Sequence, residues 1–538
     1  MKNGRINFVL FLTLISGAIV IARLFLLQVE KGDYYKALAQ GLQLNQAANV
    51  ERGEIYFKGG EALAINMEWN LVFASPLNVN NKEETANILA DILSLDQKEV
   101  LEKLQKDNLY EVIKKRISDE ELNAITGSGL EGIHLAKEKG RYYPQETMAS
   151  QLVGFVDADK QGRYGLEGYY NDFLQGRSLE IQGKTDIYLT LDYPIQFQAE
   201  KLLTKAKENL KIEGGEIIVA DPRTGKILAL ANFPNFNPNL YNEATDLSVF
   251  QNSATQKMFE PGSTFKPFTM AAGINEQKIT PKTVYVDTGQ VKIGSNIIYN
   301  YGERVYGERT MTEVLEKSIN TGAVFAEQQV GHSLFKRYVE KFGFFRPTGI
   351  DIQEIYSENK EFKKGYEFNF ATASFGQGLE MTPLQLLKAY CVIANNGKMV
   401  KPYVIDKMVT KDKVVETKTE TEENSVVSSK TTYQLTAMLV SVIENGYANT
   451  AKVPRYYVAG KTGTAQISWA ALDQNKKGYS EETWQSFVGF APAFNPQFVI
   501  LVKLNNPQAK TAEYSAVPIF QELARYIIDY YQIPPDIE

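Results

Sequence analysis

A serine hydroxyl three residues ahead of a lysine is the first arrangement in this chain that could do covalent chemistry. Ser263 and Lys266 lie in the run Glu260-Pro261-Gly262-Ser263-Thr264-Phe265-Lys266. Pro-Gly makes a turn, and the residues after it read as the start of a helix, where positions i and i+3 share a face. An unprotonated amine beside the hydroxyl can take its proton during attack. Burial or a neighbouring cation lowers a lysine pKa enough to allow this. The helix N-terminus also favours developing negative charge. Pro267 is tolerated only within the opening turn. Alone, the spacing is a weak signal, because an N-capping serine followed by a surface lysine gives the same pattern.

Two further clusters lie downstream. Ser318-Ile319-Asn320 comes after a helical run from Thr312 to Lys317, and Lys461-Thr462-Gly463-Thr464 continues from Tyr456-Tyr457-Val458-Ala459-Gly460. A strand carrying a lysine, two hydroxyls and a glycine makes an anion platform, since glycine lets backbone approach a ligand closely. Each cluster also has a bland reading, as a polar helix end and as a glycine-containing edge strand.

What the chain lacks narrows the chemistry. Its two histidines, His134 and His332, cannot make a three-histidine zinc site, and neither lies in a motif suited to a Ser-His-Asp triad. Both read as structural or surface residues. The one cysteine, Cys391, sits in the apolar run 386–393 and reads as a packed helix residue, so no intramolecular disulfide is possible. No metal and no cofactor is expected. A net charge of -6 argues against nucleic acid as a partner.

The elements that must position these residues can be sketched from the pattern. A length of 538 residues exceeds one ordinary domain. From Ile6 to Val29 the chain is nearly all apolar, long enough to span a bilayer as a helix. Lys2 and Arg5 precede the run, which puts the N-terminus in the cytoplasm and the rest outside. The alternative is a cleaved signal peptide. The long run and the absence of a clean small-x-small site favour an uncleaved signal anchor. The expected organisation is a short cytoplasmic tail (1–5), the anchor (6–29), a non-catalytic domain (30–205) and a catalytic domain (206–538).

Within the catalytic part, Glu216 to Ala220 and Lys226 to Ala231 flank the turn residues Asp221-Pro222-Arg223-Thr224-Gly225 and predict a hairpin. Periodicity predicts helices over 263–276, 310–328, 333–342, 382–396, 429–445 and 516–531, and strands over 455–468, 486–491 and 497–504. Residues 414–430 read as a solvated loop or exposed hairpin. Strands at both ends with helices between them imply an antiparallel sheet with a helical insert, an α+β fold.

The three motifs in this order are the signature of penicillin-recognising serine enzymes, with Ser-Ile-Asn standing where Ser-Asp-Asn is common. The chain resembles a class B penicillin-binding protein, most closely the division-specific, septal type. The resemblance extends over nearly the whole length. It includes Arg23-Leu24-Phe25-Leu26-Leu27-Gln28-Val29, Arg141-Tyr142-Tyr143-Pro144, Gly165-Leu166-Glu167-Gly168 and Thr190-Leu191-Asp192. In the catalytic part it includes Phe375-Gly376-Gln377-Gly378, Thr382-Pro383-Leu384-Gln385, Val458-Ala459-Gly460 and Ser486-Phe487-Val488-Gly489-Phe490.

That resemblance implies a transpeptidase domain of β-lactamase-like fold on an elongated, dimerisation-like pedestal domain, anchored by one transmembrane helix in the bacterial cytoplasmic membrane. The implied reaction is D,D-transpeptidation of peptidoglycan stem peptides ending in D-Ala-D-Ala, with β-lactams as inhibitors. Ser263 would be the nucleophile and Lys266 its base, Ser318 a proton relay beside Lys461, and Asn320 the holder of the substrate amide. Thr462 and Thr464, with Gly463 between them, would bind the terminal carboxylate. The backbone N–H groups of Ser263 and Thr464 would form the oxyanion hole. Implied partners are an acceptor amine, a glycosyltransferase and other division membrane proteins.

One departure stands out. The family has an acidic-basic pair after Arg-Gly-x-Ile, whereas Arg52-Gly53-Glu54-Ile55-Tyr56 is followed here by Phe57-Lys58, which puts a pedestal salt bridge in doubt. The alternatives are an elongation-type enzyme, a D,D-carboxypeptidase or β-lactamase, and a non-enzymatic scaffold or β-lactam sensor.

Overall fold

Residues 2–537, apart from 33, 38, 40–50, 179–182, 473 and 477, are described by a computed structural model. Met1 of the expected cytoplasmic tail, and 33, 38, 40–50 and 179–182 of the expected non-catalytic domain, lie outside the described residues. The chain divides into two compact units. One comprises 1–50 and 66–142, the other 51–65 and 143–538.

In the first unit, helices Lys82–Leu93, Gln97–Leu104 and Asp119–Ser128 share a core with strands Glu111–Lys114 and Ile133–Tyr142. Leu89, Leu93, Val100, Leu104 and Ile113 are buried there. Each helix starts where the sequence supplies a cap: Asn81, Asp96 and Ser118 accept a backbone N–H of the first turn. The helical run Ile6–Val29 is long and apolar enough to cross a membrane.

The second unit is built on a five-stranded antiparallel sheet in the order Ala459–Ser468, Tyr479–Ala491, Phe498–Asn505, Gly214–Ala220, Ile227–Phe233. The early hairpin therefore lies beside the strand farthest along the chain. Every residue of Gly214–Ala220 is buried, which explains the consecutive apolar residues Ile217 to Ala220, and the one charge in the strand, Glu216, is paired with Lys503 of the neighbouring strand at 3.0 Å. On one side Phe520 of helix Ala516–Tyr531 packs against Phe487, with ring centroids 4.7 Å apart. Helix Pro383–Ala394, buried along its whole length, also packs on the sheet. A Thr382–Gln385 capping box and a first-turn proline start that helix.

Helices Lys266–Asn275, Asn320–Val330, His332–Lys341 and Ser429–Glu444 lie between the early and late strands, as the pattern predicts. The predicted helix 310–328 is instead two helices, Met311–Glu316 and Asn320–Val330. Strand 455–468 begins only at Ala459, because Val453 and Tyr456 pair in a tight turn around Arg455, whose φ is +72°. Of the segment 414–430, Val414–Glu416 forms a hairpin with Ile405–Val409.

The Arg52-Gly53 and Gly165-Leu166-Glu167-Gly168 motifs meet in this unit. Arg52 Nε donates to Glu167 Oε2 at 2.6 Å, Nη2 to the Glu167 carbonyl at 2.8 Å and Nη1 to Asn171 Oδ1 at 2.9 Å. A Cβ on Gly53 would lie 1.8 Å from the Thr185 carbonyl, so only glycine fits. Where the family's acidic residue is missing, Phe57 is fully buried and meets the Tyr193 ring edge-on at 5.3 Å. An apolar contact fills that position, and the buried ion pair of the region is Arg52–Glu167.

Candidate active site

Ser263 sits in a 3₁₀ turn, Gly262–Phe265, that runs directly into helix Lys266–Asn275. Gly262 has φ +55° and donates its N–H to the Gly376 carbonyl at 3.0 Å. Gly376 in turn has φ +82°, and a Cβ there would lie 2.2 Å from the Gly262 carbonyl. The Phe375-Gly376-Gln377-Gly378 motif is thus the brace behind the serine turn. Tyr390, from the buried helix, donates its hydroxyl to the Thr264 carbonyl at 2.7 Å.

One helical turn on, Lys266 is fully buried. Its Nζ lies 2.9 Å from Ser263 Oγ, 2.6 Å from the Ser318 carbonyl, 2.8 Å from Asn320 Oδ1 and 3.3 Å from Ser318 Oγ. Burial, aided by the Lys461 cation, holds this amine well below the ordinary lysine value. A neutral amine has two N–H donors and one lone pair. The Ser318 and Asn320 oxygens take the two donors, which leaves the lone pair for the Ser263 hydroxyl.

Ser318 owes its place to the break in the predicted helix. The N–H of Ile319 reaches the Val314 carbonyl at 2.9 Å, and the N–H of Ser318 reaches Leu315 at 3.2 Å. This is a Schellman turn with Ser318 in the left-handed position that usually takes glycine, at φ +56°. The turn swings Ser318 Oγ between the two amines, 2.9 Å from Lys461 Nζ. A new helix then starts at Asn320, whose Nδ2 donates to the Tyr299 carbonyl at 3.1 Å.

Lys461 comes from the edge strand Ala459–Ser468 and is almost fully buried. Burial lowers its amine to about 7, with the Glu513 carboxylate pulling the other way. Its Nζ also donates to Thr462 Oγ1 at 3.2 Å. Gly463 is where this strand crosses the serine turn. A Cβ there would lie 2.7 Å from Ser486 Oγ, 2.8 Å from the Pro261 carbonyl and 2.9 Å from Thr264 Cγ2. Thr464 Oγ1 accepts the Ala512 N–H at 3.2 Å.

All eight residues singled out in the sequence therefore meet at one place. Ser263, Ser318, Asn320, Thr462 and Thr464 line a cleft of about 890 Å³, and the two amines lie buried beside it. Sequence reasoning missed the walls. Tyr299, Tyr301 and Arg304 stand on one of them, Glu481 and Glu513 on another. No motif marks these residues, because they come from separate short elements: Tyr299 and Glu481 from strands, Tyr301 and Glu513 from 3₁₀ turns and Arg304 from a loop. His332 stacks on Phe370 at 4.5 Å and contacts Glu327, while burial pushes the Cys391 thiol far up. Neither belongs to the cleft. Among the described residues no group of three or more His, Cys, Asp or Glu could hold a metal ion.

An antiparallel sheet with a helical insert, and a serine joined to two buried lysines at their junction, define a serine acyl-transfer enzyme of the penicillin-recognising class. Two family models match the chain: "Penicillin binding protein transpeptidase domain" over residues 215–525 and "Penicillin-binding Protein dimerisation domain" over 47–188. The chain belongs to the class B penicillin-binding proteins. Stage V sporulation protein D of Bacillus subtilis is 31% identical over 97% of this chain and 85% of its own length. The peptidoglycan D,D-transpeptidase FtsI homolog of Mesostigma viride is 28% identical over 99% and 97%. Among solved structures, penicillin binding protein 3 of Mycobacterium tuberculosis complexed with aztreonam superposes with a TM-score of 0.71 at 26% identity, covering 90% of this chain and 97% of that one.

Proposed function

We propose that this protein cross-links peptidoglycan stem peptides as a serine D,D-transpeptidase in septal wall synthesis. The observation that carries the reading is the hydrogen-bonded row of Ser263, Lys266, Ser318 and Lys461 at the edge of a cleft open to a peptide. Ser263 Oγ attacks the penultimate D-Ala carbonyl, and its proton passes to Lys266 Nζ. The carbon–nitrogen bond then breaks. Ser318 Oγ, between the two amines, relays a proton to the departing D-alanine nitrogen. An amine from a second stem attacks the resulting ester, its proton retraces the path, and Ser263 is restored with a new peptide bond formed. Thr462 and Thr464 receive the donor's terminal carboxylate near the Lys461 amine. The N–H groups of Ser263 and Thr464 hold the oxyanion; losing one such donor typically costs about 10²–10³ in rate. A β-lactam amide mimics the donor and leaves a stable ester on Ser263.

In this reading residues 30–205 form the non-catalytic part and 206–538 the transpeptidase. Both family matches fall within those limits. The apolar run Ile6–Val29 anchors the chain with its N-terminus in the cytoplasm and its cleft outside, which Lys2 and Arg5 favour. Its partners are a glycosyltransferase that makes the glycan and other division membrane proteins. The name of the Bacillus relative favours a second reading, wall synthesis during spore formation.

Labelling with a fluorescent penicillin tests the chemistry: the parent should label and Ser263→Ala should not. Covalent label on the alanine variant would remove Ser263 as nucleophile. D-Alanine release with and without an acceptor amine separates transfer from hydrolysis. Release unchanged by the amine, with no cross-linked product, would make the protein a carboxypeptidase.

A further inference from the structure

One polar network beside the cleft is not explained by the three motifs. Strand Val284–Asp287 pairs with Gly307–Thr310, and residues 288–306 leave that ribbon as an excursion supplying Tyr299, Tyr301, Arg304 and Tyr306 to the cleft wall. The Asp287 carboxylate closes its base. It accepts the N–H of Gly289 at 3.0 Å, the N–H of Tyr306 at 2.8 Å, both contacts of Asn300 Nδ2 at 3.0 Å and the Thr321 hydroxyl at 2.6 Å. Asp287 is 2% exposed and Asn300 3%.

These contacts fix the orientation of the Asn300 amide. Its Nδ2 faces only acceptors, the two Asp287 oxygens and the Arg304 carbonyl at 3.0 Å. Its Oδ1 faces donors, the N–H of Asn320 at 3.0 Å and of Thr321 at 3.1 Å. Those are the first two N–H groups of helix Asn320–Val330, which the helix's own flanking residue Ile319 has no side-chain oxygen to cap. Asn300 is therefore a cap supplied from a distant segment. The residue before it, Tyr299, takes the Asn320 side-chain N–H. Backbone and side chain of Asn320 are both fixed by this one strap, while Asn320 Oδ1 holds Lys266.

We propose that Asp287 and Asn300 are positioning residues for the acyl-transfer site: Asp287 orients the Asn300 amide, and Asn300 sets the direction in which Asn320 meets Lys266 and the substrate. This rests on the reading of Ser263 and Lys266 as nucleophile and base. The pair acts through Asn320 and touches no reacting atom.

Penicillin acylation rates of the full-length protein test it. Asn300→Ala should slow acylation by about 10²-fold, the scale of a small misplacement of a catalytic group. Asn300→Asp should slow it too, since two carboxylates would face each other. Combining Asn300→Asp with Asp287→Asn relieves the carboxylate pair but leaves a carboxylate oxygen at the Arg304 carbonyl and an amide nitrogen at a backbone N–H, so it should recover part of the rate lost in Asn300→Asp. Asn300→Ala added to Asn320→Ala should cost no further rate, because the two act as one unit. The proposal is overturned if Asn300→Ala acylates within about twofold of the parent, or if its loss adds in full to that of Asn320→Ala. Should Asn300→Ala fail to fold, the exchanged pair decides: recovery over Asn300→Asp supports the proposal and no recovery overturns it. Label on Ser263→Ala would instead defeat the underlying nucleophile assignment, whatever the Asn300 variants do.

Discussion

At Ser318 the backbone holds φ +56°, a conformation that costs an ordinary residue about 1–2 kcal/mol relative to glycine's easy access. The hydroxyl must nevertheless be there to stand between Lys266 and Lys461. Ser318→Gly separates the two demands. Its stability should stay within about 1 kcal/mol of the parent, because relief of φ offsets glycine's added chain entropy. Acylation should fall by about 10²-fold or more, the usual worth of a general acid–base group. A thermal melt and a penicillin labelling time course read the two effects. The lysines predict a pH dependence. Lys266 has a folded pKa below its unfolded one, so between those values the unfolded chain holds a proton that the folded chain lacks. Its contribution to stability therefore rises with pH through that window. Acylation shares the direction, falling on the acid side as Lys266 charges. Lys461→Gln removes the neighbouring cation, so the acid limb of its residual acylation should move to higher pH. An unmoved limb would show that burial alone sets the Lys266 amine. The eight candidate site residues were legible in the sequence only because three motifs, each weak alone, follow one another in a single order. Asp287 and Asn300 were not, because their meaning exists only once a strap closes over a helix end.

Elements bring these residues together through close approach of backbone. Gly463 lets the edge strand touch the serine turn, with three heavy atoms inside 3.0 Å of where a Cβ would stand. Gly463→Ala should destabilise the protein by about 1–3 kcal/mol by overpacking and slow acylation by parting the strand from the turn. A labelling rate equal to the parent's would mean the strand yields freely. The same logic applies to Arg52, whose guanidinium is held by a fully buried Glu167. Glu167→Ala removes a buried counter-charge and should cost about 3–5 kcal/mol, visible as a fall in melting temperature. The longer helices of the insert were readable from periodicity, whereas the short Glu367–Ala373 was not. The break at Ser318 was not, since Val314, Leu315 and Ile319 continue an apolar pattern across it and the Schellman turn uses no glycine. The loss of a strand start before Ala459 has a similar origin: Tyr456, Tyr457 and Val458 have strand-forming side chains, but the turn at Arg455 uses them otherwise.

For the molecule as a whole, the α+β plan was readable from strands at both ends of the catalytic part with helices between them. That sheet shares no strand with the apolar run Ile6–Val29. A chain lacking residues 1–29 should accordingly be purified without detergent and still acylate with penicillin at the parent rate; loss of labelling would mean the run does more than anchor. The strand order carries a consequence for how such a protein is made. Phe498–Asn505 is the middle strand of five, and both Gly214–Ala220 and Tyr479–Ala491 lean on it. A chain made from its N-terminus delivers the hairpin 214–233 first and the strand that must sit beside it only after the whole helical insert has been made. In that interval the hairpin shows an unpaired apolar edge, the kind of surface that invites aggregation. No half-made molecule has the complete sheet, and any chain cut before residue 498 should be cleared by proteases rather than persist as a partial enzyme.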